Sequence, residues 1–269
     1  MKLEGVSVLG TGMTRFADHR ERTLLDLATE AGLAALDDAG IDLRDVGEAY
    51  VGSMLAPPMF GVRGMKQLGL TGLAVVTVEN ASATGLVALR EAARAVASGS
   101  CAVALALAYE HGMRPLPGSG GMTPGYETLL GSPASFALWA ARRMHERQTR
   151  PEHLAKLAAK NWNAARNNPL AYHQAAHVVT VDEVLASAPV ATPLVRMMGA
   201  PMGAGAAAAI VASSSSSSKT SPVILVRGTS CAFSPSKYFS EKVGCSVRSI
   251  APLQEAHKAP RVPVSLTTW

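Results

Sequence analysis

V-E-N-A-S-A-T-G-L-V-A-L-R-E-A-A-R-A-V-A-S-G, residues 78–99, is the stretch on which the reading of this chain turns. The run that leads into it, L-A-V-V-T-V at 73–78, is short, apolar and rich in β-branched residues, and reads as a strand. A polar turn follows, and then an alanine-rich segment over 83–98 that reads as a long helix. A strand that feeds a helix through so short a turn is half of a β-α-β unit. It also leaves one small hydroxyl, that of Ser82, at the mouth of a helix N-terminus.

The same alternation extends to both sides. Residues 6–9 read as a strand ending in the turn Gly10-Thr11-Gly12. Thr23 stands where a cap belongs, ahead of a helix whose apolar face carries Leu24, Leu27, Ala28, Ala31, Ala35 and Leu36. Gly40 suits the end of that helix. Residues 49–55 read as a second strand, 59–71 as loop plus a short helix among several glycines, and 102–109 as the strand after the long helix. The β-α-β-α-β order implies a layered α/β sheet with parallel strands and buried helices.

From 111 to about 190 the texture becomes more polar, with helices expected over 134–147 and 151–166 and Pro151 suited to the first turn of the second. Such an insertion fits either a substrate-covering subdomain or a purely structural helical cap. The apolar run A-A-A-A-I-V-A at 206–212 returns to a core strand after a glycine-rich turn. Six serines at 213–218 read as a surface loop, and P-V-I-L-V-R-G-T at 222–229 as one more strand. Residues 231–269 form an irregular basic tail with no apolar period, the pattern that a truncation or a frameshift leaves. The domain expected is 1–230, with its helical loop region at about 111–190.

Composition excludes several classes. The 269 residues are 48% hydrophobic and 17% charged, which suits a soluble α/β protein. No apolar run is long enough for a membrane span, and the N-terminus lacks the apolar core and cleavage site of a signal peptide, so a cytoplasmic location is expected. The whole-chain net charge of +5 resides in residues 219–269, where seven Lys and Arg face two Glu, so residues 1–218 are neutral. A neutral body with a basic tail is not a nucleic-acid-binding footprint. Cys101, Cys231 and Cys245 show no C-x-x-C spacing, which argues against a metal or disulfide framework, and Cys101 reads as a small core residue of a buried strand.

E-N-A-S-A-T-G at 79–85 closely resembles the nucleophile motif of the thiolase superfamily, in particular its lipid-transfer (sterol-carrier-protein-x) type, which reads E-N-A-C-A-S/T-G. Further segments carry the resemblance: G-T-G-M-T-R-F at 10–16, A-Y-V-G-S at 49–53, A-L-A-Y-E-H-G-M at 106–113, K-N-W-N-A-A-R-N-N-P-L-A-Y at 160–172 and the run from Thr192 to Val211. Together they span residues 4–230. The resemblance implies a thiolase-like layered α/β/α fold, mainly its N-terminal half with the helical loop insertion, the C-terminal half being largely missing. It implies an acyltransferase of lipid metabolism acting on acyl-CoA, with coenzyme A thioester as substrate and no further cofactor or metal. It also implies a homodimer through the strand at 73–78, or a heteromer with a thiolase-like or OB-fold acyl-CoA-binding subunit.

The departures are specific. Ser82 replaces the family's acyl-accepting cysteine, Trp162 stands where the family often has His, and Ala204 where it often has Asp. The family's second-half motifs, an Asn- or His-bearing loop, G-H-P and C-x-G, do not occur in these residues; His257 sits in E-A-H-K and Cys245 in V-G-C-S. A helix N-terminus can lower a thiol pKa into the neutral range, but a serine hydroxyl starts several units higher and needs a general base in contact. His111, at the end of the strand after the helix, is the nearest candidate; the plainer reading makes it a rim residue. Three readings of Ser82 therefore stand: a cap in a degenerate, non-catalytic subunit, an acyl-accepting serine, or part of an acyl-CoA pocket that works without a covalent intermediate, as in retro-aldol cleavage. Glu79 and Asn80 read as turn and dimer-contact residues. Arg63, Lys66, Arg142 and Arg143 could face CoA phosphates or be plain solvated charge.

Overall fold

The structure, a computed structural model, describes residues 5–54, 58–69, 72–110, 133–201, 203–213 and 224–225. His111, most of the serine run, Cys231, Cys245, His257 and the tail lie outside these residues, as does the strand expected at 222–229 apart from Ile224–Leu225. The chain divides into two units. The first takes in residues 1–14, 20–111 and 205–269, and the second residues 15–19 and 112–204.

Six strands form the sheet of the first unit, in the order β3-β2-β4-β7-β1-β8: β1 Val6–Met13, β2 Glu48–Gly52, β3 Ala74–Val78, β4 Val103–Glu110, β7 Gly205–Ser213 and β8 Ile224–Leu225. β2 pairs in parallel with both β3 and β4, as the alternating pattern requires. The strands that enter later in the chain run the other way. β7 lies antiparallel between β4 and β1, with Leu105 opposite Ile210 and Gly12 opposite Ala208. The sheet is mixed because β7 enters it from a distant part of the chain rather than through a crossover helix.

The register assigns the faces. Val6, Ala104, Ala106 and Val211 pack with Ala88, Ala92, Ala93 and Val96 of α3, Thr84–Ser98. Gly10 and Gly12 face the other way, toward α1, Leu24–Ala39. On that same face α2, Phe60–Gln67, sets Gly61 against Thr77, Val51 and Val75. The result is the layered α/β/α arrangement. Leu27, Met65, Leu105, Leu107 and Ile210 are fully buried in it.

The G-T-G at 10–12 is thus strand, not turn. A Cβ on Gly10 would stand 2.3 Å from the Ala39 backbone nitrogen, and one on Gly12 would stand 2.1 Å from the Ala31 carbonyl oxygen. The two glycines are there so that α1 can lie directly on β1. Both ends of α1 follow the sequence: Thr23 and Asp26 form a reciprocal capping box, and Gly40 closes the helix in the left-handed conformation at φ 62°. Thr23→Ala is expected to lower stability by ~1 kcal/mol, read from the urea midpoint. The backbone N–H of Thr23 holds the Asp26 carboxyl below its ordinary pKa. Its contribution is therefore present above the unfolded pKa and is lost as the pH falls through the lowered folded value.

Cys101 is half-buried just ahead of β4 and not within a strand; burial, with the Glu48 carboxylate second, pushes its thiol up to about 11. In the second unit α4 spans Pro133–Arg147, α5 Pro151–Ala165 and α6 Val181–Ala186. A small hairpin, β5 Pro189–Ala191 with β6 Leu194–Val195, lies in a region where the sequence pattern shows no strand. Ala155, Ala159, Val179 and Val184 make this unit's own core. Among the described residues no helix is long and apolar enough to cross a membrane.

Candidate functional site

The C-terminal ends of parallel strands are where an α/β sheet collects its ligands and its chemistry. Here β2, β3 and β4 end at Gly52, Val78 and Glu110, and the turn carrying Ser82 leaves β3 at this edge. Residues Ala81–Ala83 form one turn of 3-10 helix before α3 begins at Thr84. Ser82 is its middle residue. Its side chain is exposed, and among the described residues its hydroxyl makes no hydrogen bond.

The cap reading of Ser82 is not met. Neither Asn80, which precedes the 3-10 turn, nor Ala83, which precedes α3, makes a side-chain cap bond, and the hydroxyl that ties the turn together comes from further along the chain. The buried Thr84 hydroxyl accepts from the Asn80 backbone N–H at 2.8 Å and donates to the Ala81 carbonyl at 2.6 Å. The Glu79 carboxylate accepts from the Ala81 N–H at 2.6 Å. Glu79 is thus a turn residue, as its place in the sequence suggests.

These bonds hold an unusual backbone. Ala81 has φ +44°, the left-handed region in which a Cβ costs about 1–2 kcal/mol. Two bonds to side-chain oxygens, one of them charged, offset a cost of that size, each bringing roughly 0.5–3 kcal/mol. Gly52 completes the fit: a Cβ there would lie 2.7 Å from Thr84 Cγ2, so the end of β2 must be bare for Thr84 to sink against it. Gly85 then sets α3 close over β4, where an added Cβ would be 3.3 Å from that of Ala108.

At the adjacent strand ends, the Glu110 carboxylate accepts from the Met54 N–H at 2.7 Å and from the Ser53 hydroxyl at 3.3 Å. This tie between the ends of β2 and β4 was not legible from the sequence, because its residues stand 57 positions apart. Arg63 and Lys66 are exposed on α2, on the sheet face opposite α3. Arg142, on α4 of the second unit, pairs with Glu146 at 2.7 Å, and Arg143 is exposed nearby. Both observations fit solvated charge.

In the second unit Trp162 donates its indole N–H to the Met197 carbonyl at 2.9 Å and stacks on His173, with ring centroids 4.5 Å apart. Burial lowers the His173 pKa. Ala204 pairs with Ala17 through two backbone hydrogen bonds. Among the described residues no group of three His, Cys, Asp or Glu side chains could hold a metal ion.

Comparison with known proteins bears on this arrangement. The family model described as thiolase, N-terminal domain, matches residues 6–123. The chain is 33% identical over 216 residues to an acetyl-CoA acetyltransferase of Methanocaldococcus jannaschii, covering 76% of this chain and 54% of that protein. It is 37% identical over 219 residues to sterol carrier protein 2 of Gallus gallus, covering 75% of this chain and 40% of that protein. The chain therefore spans about half the length of the curated relatives it matches. Among solved structures, "Ltp2-ChsH2(DUF35) aldolase" superposes with a TM-score of 0.71 at 25% identity, covering 84% of this chain and 60% of that one.

Proposed function

The chain belongs to the thiolase superfamily, and from that premise we propose that it acts on acyl-CoA thioesters, with Ser82 at the position of the family's acyl-accepting cysteine. One observation carries the reading: the Ser82 side chain is exposed on a hydrogen-bonded elbow at the start of α3, where it is not the cap. In this reading the thioester carbonyl sits beside Ser82, and the positive end of α3 favours the negative charge that develops as the carbonyl is attacked. A serine hydroxyl must give up its proton to a base before it is a useful nucleophile. Transfer through Ser82 is therefore slow, and the serine impairs an acyltransfer activity that a thiol would support.

The aldolase superposition favours a second reading, in which an acyl-CoA pocket serves carbon–carbon cleavage or plain binding and no covalent acyl-enzyme forms. The two readings are separable on the unsubstituted protein. Incubation with acetyl-CoA followed by peptide mass spectrometry should yield an acetyl adduct on the peptide holding Ser82, absent from Ser82→Ala. Retention of CoA without an adduct would favour the second reading. Binding of neither acyl-CoA nor CoA would remove both.

The partner belongs to the same proposal. Among the described residues β3 pairs only with β2, and its outer edge is open. Val76 is 42% exposed on it, an apolar side chain on an edge strand that natural proteins usually protect. A second copy pairing along Ala74–Val78 would cover it. The alternative partner is the OB-fold acyl-CoA-binding subunit that the family resemblance implies, and the superposed structure, described as "Ltp2-ChsH2(DUF35) aldolase", supports a heteromer. Size-exclusion with light scattering should show a dimer that Val76→Lys converts to monomer; a monomer at all concentrations would leave β3 to a different protein.

A further inference from the structure

We propose that Thr84 is the positioning residue of the Ser82 elbow: by binding Asn80 and Ala81 together through one buried hydroxyl, it fixes where the side chain at 82 stands relative to α3. The inference rests on the reading of Ser82 as the acyl-accepting position, and it deepens that reading by naming what holds the group in place.

Three observations converge on Thr84. Its hydroxyl is bonded on both sides, accepting from the Asn80 N–H at 2.8 Å and donating to the Ala81 carbonyl at 2.6 Å. The residue between that carbonyl and the Glu79-bound N–H is Ala81, whose left-handed φ of +44° turns the chain immediately before Ser82. The Thr84 methyl is seated against the bare Cα of Gly52 at the end of β2, so the hydroxyl cannot rotate away without leaving its packing site. The backbone at 81 is therefore clamped from a residue that itself never reaches the exposed side of the turn.

Valine has the shape of threonine without the hydroxyl, and serine keeps the hydroxyl without the methyl. That pair separates positioning from packing. The readout is the pH–rate profile of iodoacetamide alkylation, followed by peptide mass spectrometry, of the thiol introduced by Ser82→Cys. Adding Thr84→Val is expected to raise the midpoint of the profile by about one pH unit, which cuts the thiolate fraction about tenfold at pH values well below both midpoints. Adding Thr84→Ser is expected to keep the rate within about twofold of Ser82→Cys alone. Profiles that coincide for Thr84→Val and Thr84→Ser would overturn the proposal.

Should Thr84→Val fail to fold, hydrogen exchange on the unsubstituted protein decides instead. The Asn80 amide, which donates to the Thr84 hydroxyl, is expected to be protected although the Asn80 side chain is exposed, and free exchange there would overturn the proposal. Alkylation does not involve acyl-CoA. A Thr84-dependent profile in a protein that never accepts an acyl group would retire the acyl-acceptor reading and leave the clamp standing; an acyl adduct with no Thr84 dependence would do the reverse.

Discussion

Gly12→Ala is expected to destabilise the first unit by about 3 kcal/mol or more, at the upper end of what one added methyl does in a packed core. The new Cβ would lie 2.1 Å from the Ala31 carbonyl oxygen, 2.5 Å from the Ala35 nitrogen and 2.9 Å from the Ala34 Cβ. Two of those three atoms are helix backbone, so no rotamer change relieves the contact and α1 must lift off β1. Lifting it unpacks Leu27, Ala31 and Ala35, all of which are buried. Against a total stability of about 5–15 kcal/mol, that loss is a large share. Gly99→Ala is the internal control: nothing lies within 4 Å of its Cβ, and only its φ of +75° opposes the change. It should cost about 1–2 kcal/mol. Urea unfolding of both variants checks the contrast, and equal midpoints would mean that G-T-G is held loosely, as a turn would be.

The same glycines show where sequence pattern stops informing. G-T-G between two apolar residues reads as a turn because local chemistry permits one; only the closeness of Ala31 and Ala35 makes it a strand. The helix α1 was legible from Thr23 to Gly40 because its signals, a capping box and a left-handed glycine, are local. β2, β3 and β4 were legible for the same reason, each lying next to the helix that packs on it. The antiparallel entry of β7 was not, since Val103 opposite Ala212 is a pairing across more than a hundred residues.

At the site, the E-N-A-S-A-T-G stretch marks a turn entering a helix, and a serine there reads as a cap because serine often is one. The hydroxyl that bonds the turn's backbone is instead that of Thr84, two residues later. Hydroxyls compete for the same backbone N–H groups, and which one succeeds depends on which can be buried. Gly52, distant in sequence, settles it by making room for Thr84.

The second large effect concerns Ser82→Cys. A thiol at the start of α3 lies in the field of the helix N-terminus, which brings cysteine pKa values to ~7.5 or below. The chain supplies its own reference, for Cys101 is half-buried and its thiol is pushed up to about 11. Near neutral pH the introduced thiol is substantially thiolate and Cys101 almost wholly protonated. Allowing for the lower intrinsic nucleophilicity of the more acidic thiol, iodoacetamide should react on the order of a hundredfold faster at position 82 than at Cys101. Peptide mapping separates the two sites from Cys231 and Cys245. Comparable rates at 82 and at an unstructured cysteine peptide would mean that the elbow confers no activation.

Acyl transfer to that thiol tests the central claim most directly. Ser82→Cys, incubated with acetyl-CoA, is expected to gain one acetyl group on the peptide containing position 82, with one free CoA released for each group gained. The unsubstituted chain should acetylate far more slowly at the same residue, and Ser82→Ala not at all. A thiol at 82 that reacts readily with iodoacetamide yet takes no acetyl group from acetyl-CoA would contradict the account, because the elbow would then present a reactive group to no thioester.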